Sequence, residues 1–313
     1  MDNTLDTSEY PTRWVDYIGQ EGATRLLQVA AKSARIRKAP LDHVLIAHPS
    51  PGIGKTALAN LIARELRRPI RVVSGKVTLN AARLILSDMK DRDVLFYDEF
   101  HRVAESKGNP EWLLHLMQDY TLIGPFGPEP QPKITLIAAT THAHLVPRAV
   151  LDRFMLVPEL HEYSTEEAAR IAQVTARRDL KGLPTLAKSQ ATVIATAAGR
   201  NPRSIKKLLI SLRDVTVTGA VPLRNGRYDV DALLAWNDIT PDGLTPVARR
   251  YLSALKDDFD GAAGVKALEE RLAHPGGLGD VERVLMDAGL IGRTKTGRQL
   301  TQAGIARSRA LAN

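Results

Sequence analysis

The 313-residue sequence contains no cysteine, which excludes disulfides and thiolate metal centres and makes a reducing compartment, the cytosol, the natural setting. No apolar run approaches bilayer-spanning length, so a transmembrane segment is not expected. The first residues, Met1 to Glu9, are polar and acidic, which is the wrong character for a secretory leader. Internal repeats and low-complexity segments are also lacking, which argues against a solenoid or a disordered linker protein. Neither sign of charge overwhelms the other. The net charge of +8 permits a polyanionic partner without demanding one.

What is present is an ordinary globular composition, 44% hydrophobic and 25% charged, in a chain long enough for two or three domains. Its most informative stretch is Pro49-Ser50-Pro51-Gly52-Ile53-Gly54-Lys55-Thr56. An apolar run, His43–Ala47, precedes it, and a helical pattern, Ala57–Ala63, follows. Strand, glycine loop, Gly-Lys-Thr and helix together make a phosphate-binding loop, in which successive backbone N–H groups and a helix N-terminus cradle a polyphosphate. Lys55 is expected to reach the outer phosphates of the nucleotide and the Thr56 hydroxyl to bind Mg²⁺. Pro51, Gly52, Ile53, Gly54 and Ala57 are the remaining nucleotide-binding candidates of the loop. Pro49 stands where the pattern has glycine, and proline fixes φ at about −65° and carries no N–H.

Asp93-Val94-Leu95-Phe96-Tyr97-Asp98-Glu99 reads as a buried strand that delivers two carboxylates at its C-terminal end, where α/β folds place ligands. Asp98 is expected to hold Mg²⁺ and Glu99 to polarise the attacking water. Glu21–Arg37 reads as an amphipathic helix with Ala23, Leu26, Leu27, Ala30 and Ala34 on its apolar side. Further strands are read at Arg71–Ser74 and Ile134–Ala139, and helices at Ala81–Lys90 and Glu111–Tyr120. The proline-rich stretch Gly124–Pro132 reads as loop. Strands alternating with helices imply a parallel sheet covered on both faces.

Past Phe154 the pattern turns helical. Ser164-x-x-Glu167 is a capping box, and helices are expected at Lys188–Ala198 and Pro202–Asp214, with Thr218–Asp229 turn-rich. From Thr240 onwards, three helices (Pro246–Lys256, Gly264–Ala273, Leu278–Ala288) precede a small hairpin around Thr296-Gly297, the pattern of a winged helix. Between Ala288 and Asn313 stand five basic residues and no acid. Arg293, Lys295 and Arg298, on the presumed wing, are the candidates for phosphate contact with DNA; a solvated tail is the alternative. The expected division is residues 1–160 for the nucleotide-binding α/β domain, 161–238 for a helical lid and 239–313 for the winged helix.

A nucleotidase sheet followed by a helical lid resembles the AAA+ ATPases. Ala138-Ala139-Thr140-Thr141 lies where that class carries a sensor for the γ-phosphate, Asp152-Arg153-Phe154 where it carries an arginine finger, and Gly199-Arg200-Asn201-Pro202-Arg203 where it carries a second sensor. Within the class, the chain resembles the RuvB family, the motors of Holliday-junction branch migration. The likeness runs from about Tyr10 to Leu311 and is carried by several stretches. These are Tyr17-Ile18-Gly19-Gln20-Glu21, Leu41–Leu45, Asp93–Arg102, Ala139-Thr140-Thr141, Asn201-Pro202-Arg203 and Asp287–Thr294. The resemblance implies an α/β AAA+ domain, a lid and a winged helix, assembled as a hexameric ring on double-stranded or junction DNA in the bacterial cytoplasm, chromosomal or phage-encoded. It implies that Tyr17 and Ile18 line the adenine pocket and that Thr141 senses the γ-phosphate. It further implies that Arg153 acts in a neighbouring protomer and that Pro202 and Arg203 act from the lid.

The chain departs from the family at three places. Besides Pro49, Leu151 stands where relatives carry another arginine. The segment between Asp119 and Thr135, which in the family forms the hairpin that engages RuvA, is several residues shorter and proline-rich, which weighs against docking to a standard RuvA. Two other functions share the nucleotide motifs: a clamp-loader-like assembly ATPase, and an ATP-binding DNA scaffold that does not hydrolyse.

Overall fold

Ala23, Leu27, Ala31 and Ala34 form the buried stripe of the first helix, α1 (Glu21–Arg37), in the computed structural model, which describes residues 10–105, 111–124, 126–240, 242–274 and 278–312. Leu26, expected on that stripe, is exposed, and Ala31 takes the position one turn beyond Leu27. The Met1–Glu9 segment and Pro125 lie outside the described residues. The chain divides into two compact units, one ending at Glu162 and the other beginning at Tyr163.

In the first unit the order after α1 is β1 (Val44–Ala47), α2 (Lys55–Leu66), β2 (Ile70–Ser74), α3 (Leu79–Ser87), β3 (Val94–Asp98), α4 (Glu111–Asp119), β4 (Thr121–Gly124), β5 (Gly127–Pro130), β6 (Thr135–Thr140) and α5 (Arg148–Leu151). Four strands form a parallel sheet in the order β1-β6-β3-β2. Leu156 adds a parallel bridge on the outer side of β1, with Leu45 N–H donating to its carbonyl at 2.9 Å. Every residue of β6 and the first four of β3 are buried, as expected when helices cover both faces of a parallel sheet. The C-terminal strand ends therefore bring the glycine loop, the carboxylates and the threonines to one edge.

Within the stretch expected to be loop, Gly124 and Gly127–Pro130 are strand. β4 and β5 pair antiparallel from Thr121↔Pro130 to Gly124↔Gly127. Proline composition misleads here because a two-stranded ribbon is all edge, and an edge strand tolerates residues that cannot donate. The ribbon is tied to α3 by Arg83, whose guanidinium reaches Glu129 Oε2 and the Ile123 carbonyl, each at 3.1 Å.

The second unit opens with α6 (Thr165–Asp179), whose capping box forms as the spacing predicts: Ser164 Oγ accepts from Glu167 N and Glu167 Oε2 from Ser164 N. There follow α7 (Lys188–Ala197), α8 (Pro202–Val217), α9 (Val230–Trp236), α10 (Pro246–Ser253), β7 (Ala262–Ala263), α11 (Val265–Leu272), α12 (Gly279–Asp287), β8 (Ile291–Arg293), β9 (Arg298–Leu300) and α13 (Gln302–Ala312). Leu244, Tyr251, Leu252, Leu268, Leu285 and Leu300 share one apolar core in this region. α9, β7 and α13 carry no signal that the sequence reading picks up. The three-stranded sheet β7-β9-β8 and helices α10–α12 complete the winged helix.

Candidate functional site

The phosphate loop connects β1 to α2. Gly52 and Gly54 take φ of 76° and 105°, so the left-handed turns fall on glycines and Pro49 is not asked for a positive φ. Gly54 is constrained twice, because a Cβ there would lie 2.6 Å from the Tyr17 hydroxyl oxygen. That contact packs the buried Tyr17 against the loop, with the half-buried Ile18 beside it in sequence. Lys55 is also buried, and its ammonium donates to the carbonyls of His48 and Ser50 at 3.0 Å each. His48 N–H in turn bonds the Thr140 carbonyl at 3.1 Å, which ties the loop to β6. Ser50 adds a hydroxyl hydrogen bond to Glu162 Oε1, a contact that no motif announced.

Beside the loop, β3 ends on the half-buried Asp98, whose Oδ1 accepts the Glu99 N–H at 3.0 Å. Glu99 itself turns into the left-handed region at φ 50° and leads into a 3₁₀ turn, Phe100–Glu105. Phe100 fixes that turn, being fully buried between Tyr97 and Phe154 with edge-to-face ring separations of 5.2 and 5.5 Å. Thr141 Oγ1 lies 3.4 Å from Glu99 Oε2, so the expected sensor and the expected base meet. His101, His142 and His144 also gather there: His101 Nδ1 is 3.3 Å from Glu99 Oε2 and 3.1 Å from Thr140 Oγ1, and the His101 and His142 ring centroids are 4.8 Å apart. The sequence signal for His101 was its place two residues beyond Glu99, but a role needed Thr140, which is distant in the chain.

Thr56 and Asp98 offer a hydroxyl and a carboxylate, the hard oxygen donors Mg²⁺ prefers, and leave the rest of an octahedron to phosphate and water. The residues present fit that ion. Arg153 is exposed and donates to the neutral Gln118 Oε1 at 2.7 Å, while the neighbouring Asp152 pairs with Arg148 instead. Pro202 and Arg203 open α8, where Asn201 caps the helix by accepting from Arg203 N at 2.9 Å, and the Arg203 side chain is exposed.

In the winged helix the expected DNA contacts divide. Arg293 and Lys295 are exposed on the β8–β9 hairpin. Arg298 is turned inward: its guanidinium grips Glu282 Oε2 through Nε at 3.0 Å and Nη2 at 2.8 Å, with side-chain exposures of only 17% and 8%. The Tyr251 hydroxyl donates to Glu282 Oε1 at 2.8 Å, and burial together with this carboxylate pushes the phenol pKa well up. Arg298, expected on the wing as a DNA contact, is here the partner of a buried acid.

Residues 10–160 match the family model described as the Holliday junction DNA helicase RuvB P-loop domain, and residues 241–307 match the RuvB C-terminal winged helix domain. Among solved structures, the Thermotoga maritima RuvB Holliday junction branch migration motor is 30% identical and superposes with a TM-score of 0.82 over 96% of this chain and 98% of that one. A single-residue mutant of the same protein gives 0.83 at the same identity and coverage.

Proposed function

The chain belongs to the RuvB family of Holliday-junction branch-migration motors, and on that footing we propose that it hydrolyses Mg-ATP between neighbouring protomers of a hexameric ring and moves double-stranded or junction DNA. Glu99 polarises the attacking water, Lys55 and the loop amides hold the phosphates, and Thr141 reads the γ-phosphate. Thr56 and Asp98 hold Mg²⁺, which draws charge from the phosphates when bound. Tyr17, Ile18, Pro51, Gly52, Ile53, Gly54 and Ala57 form the nucleotide cradle, and Arg203, next to Pro202, is the lid's sensor. The lid, 161–238, and the winged helix, 239–313, act as separate modules beyond the sheet domain, 1–160. Arg293 and Lys295 grip phosphates without reading bases.

The observation that carries this reading is Arg153: an exposed guanidinium with a neutral hydrogen-bond partner, in the same unit as a carboxylate already bonded to its own threonine. Such an arginine is suited to a charge that arrives from outside the protomer. The β4–β5 hairpin, with Phe126 and Ile123 exposed, is the docking surface we assign to a RuvA-like partner adapted to a short ribbon. Among the described residues no helix is long and apolar enough to cross a membrane. The absence of cysteine suits the bacterial cytoplasm of a chromosomal or phage-encoded protein.

A mixing experiment tests the reading. Glu99→Gln lacks the base but keeps the finger; Arg153→Ala lacks the finger but keeps the base. Each alone should be inactive in ATP hydrolysis with junction DNA. Their mixture should recover turnover at sites that join an Arg153→Ala pocket to a Glu99→Gln neighbour. A mixture no more active than the sum of its parts would overturn hydrolysis in trans.

A further inference from the structure

Glu99 Oε2 is approached from two sides, and both neighbouring groups sit in a network of their own. His142 N–H donates to Thr140 Oγ1 at 3.0 Å. Thr140 Oγ1 lies 3.1 Å from His101 Nδ1, the atom that stands 3.3 Å from Glu99 Oε2. On the other side, Thr141 Oγ1 lies 3.4 Å from the same carboxylate oxygen and 2.8 Å from His142 Nδ1. An ionised Glu99 sets the protons: Nδ1 of His101 must carry hydrogen, the Thr141 hydroxyl must point at Oε2, and His142 Nδ1–H must then supply Thr141. These contacts converge on Oε2 and none of them uses Oε1.

We propose that His101 is a positioning residue for Glu99: it anchors Oε2 so that Oε1 is the oxygen aimed at the attacking water. The side chain is built for this, being 12% exposed against 43% for Glu99, on a turn that the Phe100 stack holds rigid. Glu99 sits on a left-handed backbone at the open end of a strand, and a carboxylate with freely rotating terminal bonds would spend much of its time misaligned. Two donors on one oxygen restrict that rotation. When Oε1 takes the water's proton, the water oxygen bonds to the γ-phosphorus and the bond to the bridging oxygen breaks with its electrons leaving on ADP. The inference rests on Glu99 being the base, and the experiment separates the two.

Single-turnover and steady-state ATP hydrolysis are measured for the full chain with junction DNA. His101→Ala should lower kcat by about 10–100-fold, the cost of a misplaced reacting group, with KM and nucleotide binding within about twofold of the parent. His101→Asn carries an amide nitrogen where histidine has Nδ1 and should restore most of the loss. His101→Gln places its nitrogen too far out and should not. In a Glu99→Gln background, His101→Ala should add nothing, because the two act as a unit. A kcat within twofold of the parent in His101→Ala, beside an inactive Glu99→Gln, would sink the positioning role alone; full turnover in Glu99→Gln would sink the base assignment. Equal activity of the Asn and Gln variants would also overturn the proposal, and that comparison holds even if the alanine variant does not fold.

Discussion

At the C-terminal edge of the sheet, Arg153 extends into solvent and, among the described residues, has only Gln118 for a partner; in the winged helix, Arg298 lies against Glu282, and Arg307 is held by both carboxylate oxygens of Asp242 at 2.7 and 2.8 Å. Both regions are rich in basic side chains, and they use them in opposite ways. Cations that pair with a nearby acid stabilise the fold and have little left to offer a ligand. Cations held by neutral groups keep their charge available. Counting charges cannot separate these cases, because each depends on what the fold brings within about 3 Å, the hydrogen-bonding distance. Of the five basic residues between Ala288 and Asn313, Arg298 and Arg307 are engaged in this way, which leaves Arg293, Lys295 and Arg309 exposed.

The sharpest way to break this contrast is at Arg153. Arg153→Ala should reduce ATP turnover of the assembled protein by about 10³–10⁵-fold, the range seen where an arginine is supplied in trans, and should leave thermal stability nearly unchanged. A stability loss with modest loss of turnover would place Arg153 with the paired arginines instead. The reverse holds for Arg298. Arg298→Ala strands a buried carboxylate and should destabilise the second unit by about 3–5 kcal/mol, measured by denaturant unfolding. Replacing Glu282 and Arg298 together by apolar residues of similar volume should recover most of that, since neither charge is then left unpaired. A smaller effect is expected at the hairpin. Arg293→Ala with Lys295→Ala should weaken DNA binding similarly across sequences and flatten the salt dependence of log K by about 2 units, near one for each phosphate no longer neutralised. An unchanged slope would move the DNA interface elsewhere.

The same contrast explains what could be read from the chain. The phosphate loop and the Asp98–Glu99 strand end were legible because their chemistry needs consecutive residues: amides, lysine and hydroxyl in one turn, carboxylates at one strand end. Helix α1 is legible to the residue at both ends, although the apolar pattern puts Leu26 on the buried side and the fold leaves it exposed. What failed was whatever depends on a partner far away in the chain. Glu282 lies 16 positions before Arg298, and nothing local marks the pair. His101 meets Thr140 across 39 positions, so its relation to Glu99 appears only when β3 and β6 lie side by side. The β4–β5 ribbon is hidden for another reason: proline reads as loop chemistry, and the clamp from Arg83 that supports the ribbon comes from α3.

His43 supplies the smallest expected effect and tests the contrast from the opposite side, as a basic group that the sheet requires to stay neutral. It is buried, its Nδ1 accepts from Leu136 N–H at 3.1 Å, and its Nε2 faces the Met117 carbonyl at 3.1 Å. Only the neutral tautomer with hydrogen on Nε2 satisfies both contacts, and a proton on Nδ1 would confront the Leu136 amide. Burial accordingly lowers the pKa below the ordinary 6.5, with the Met117 carbonyl and nearby Asp42 pulling weakly the other way. An unfolded chain takes up this proton near 6.5 while the folded chain resists to lower pH, so the folded state loses stability as pH falls below 6.5. His43→Asn keeps an acceptor near Leu136 N–H and cannot titrate. It should be less stable than the parent at pH 7, yet its melting temperature should fall less between pH 7 and pH 5. Parallel melting curves for the two proteins across that interval would show that His43 carries no part of the acid sensitivity.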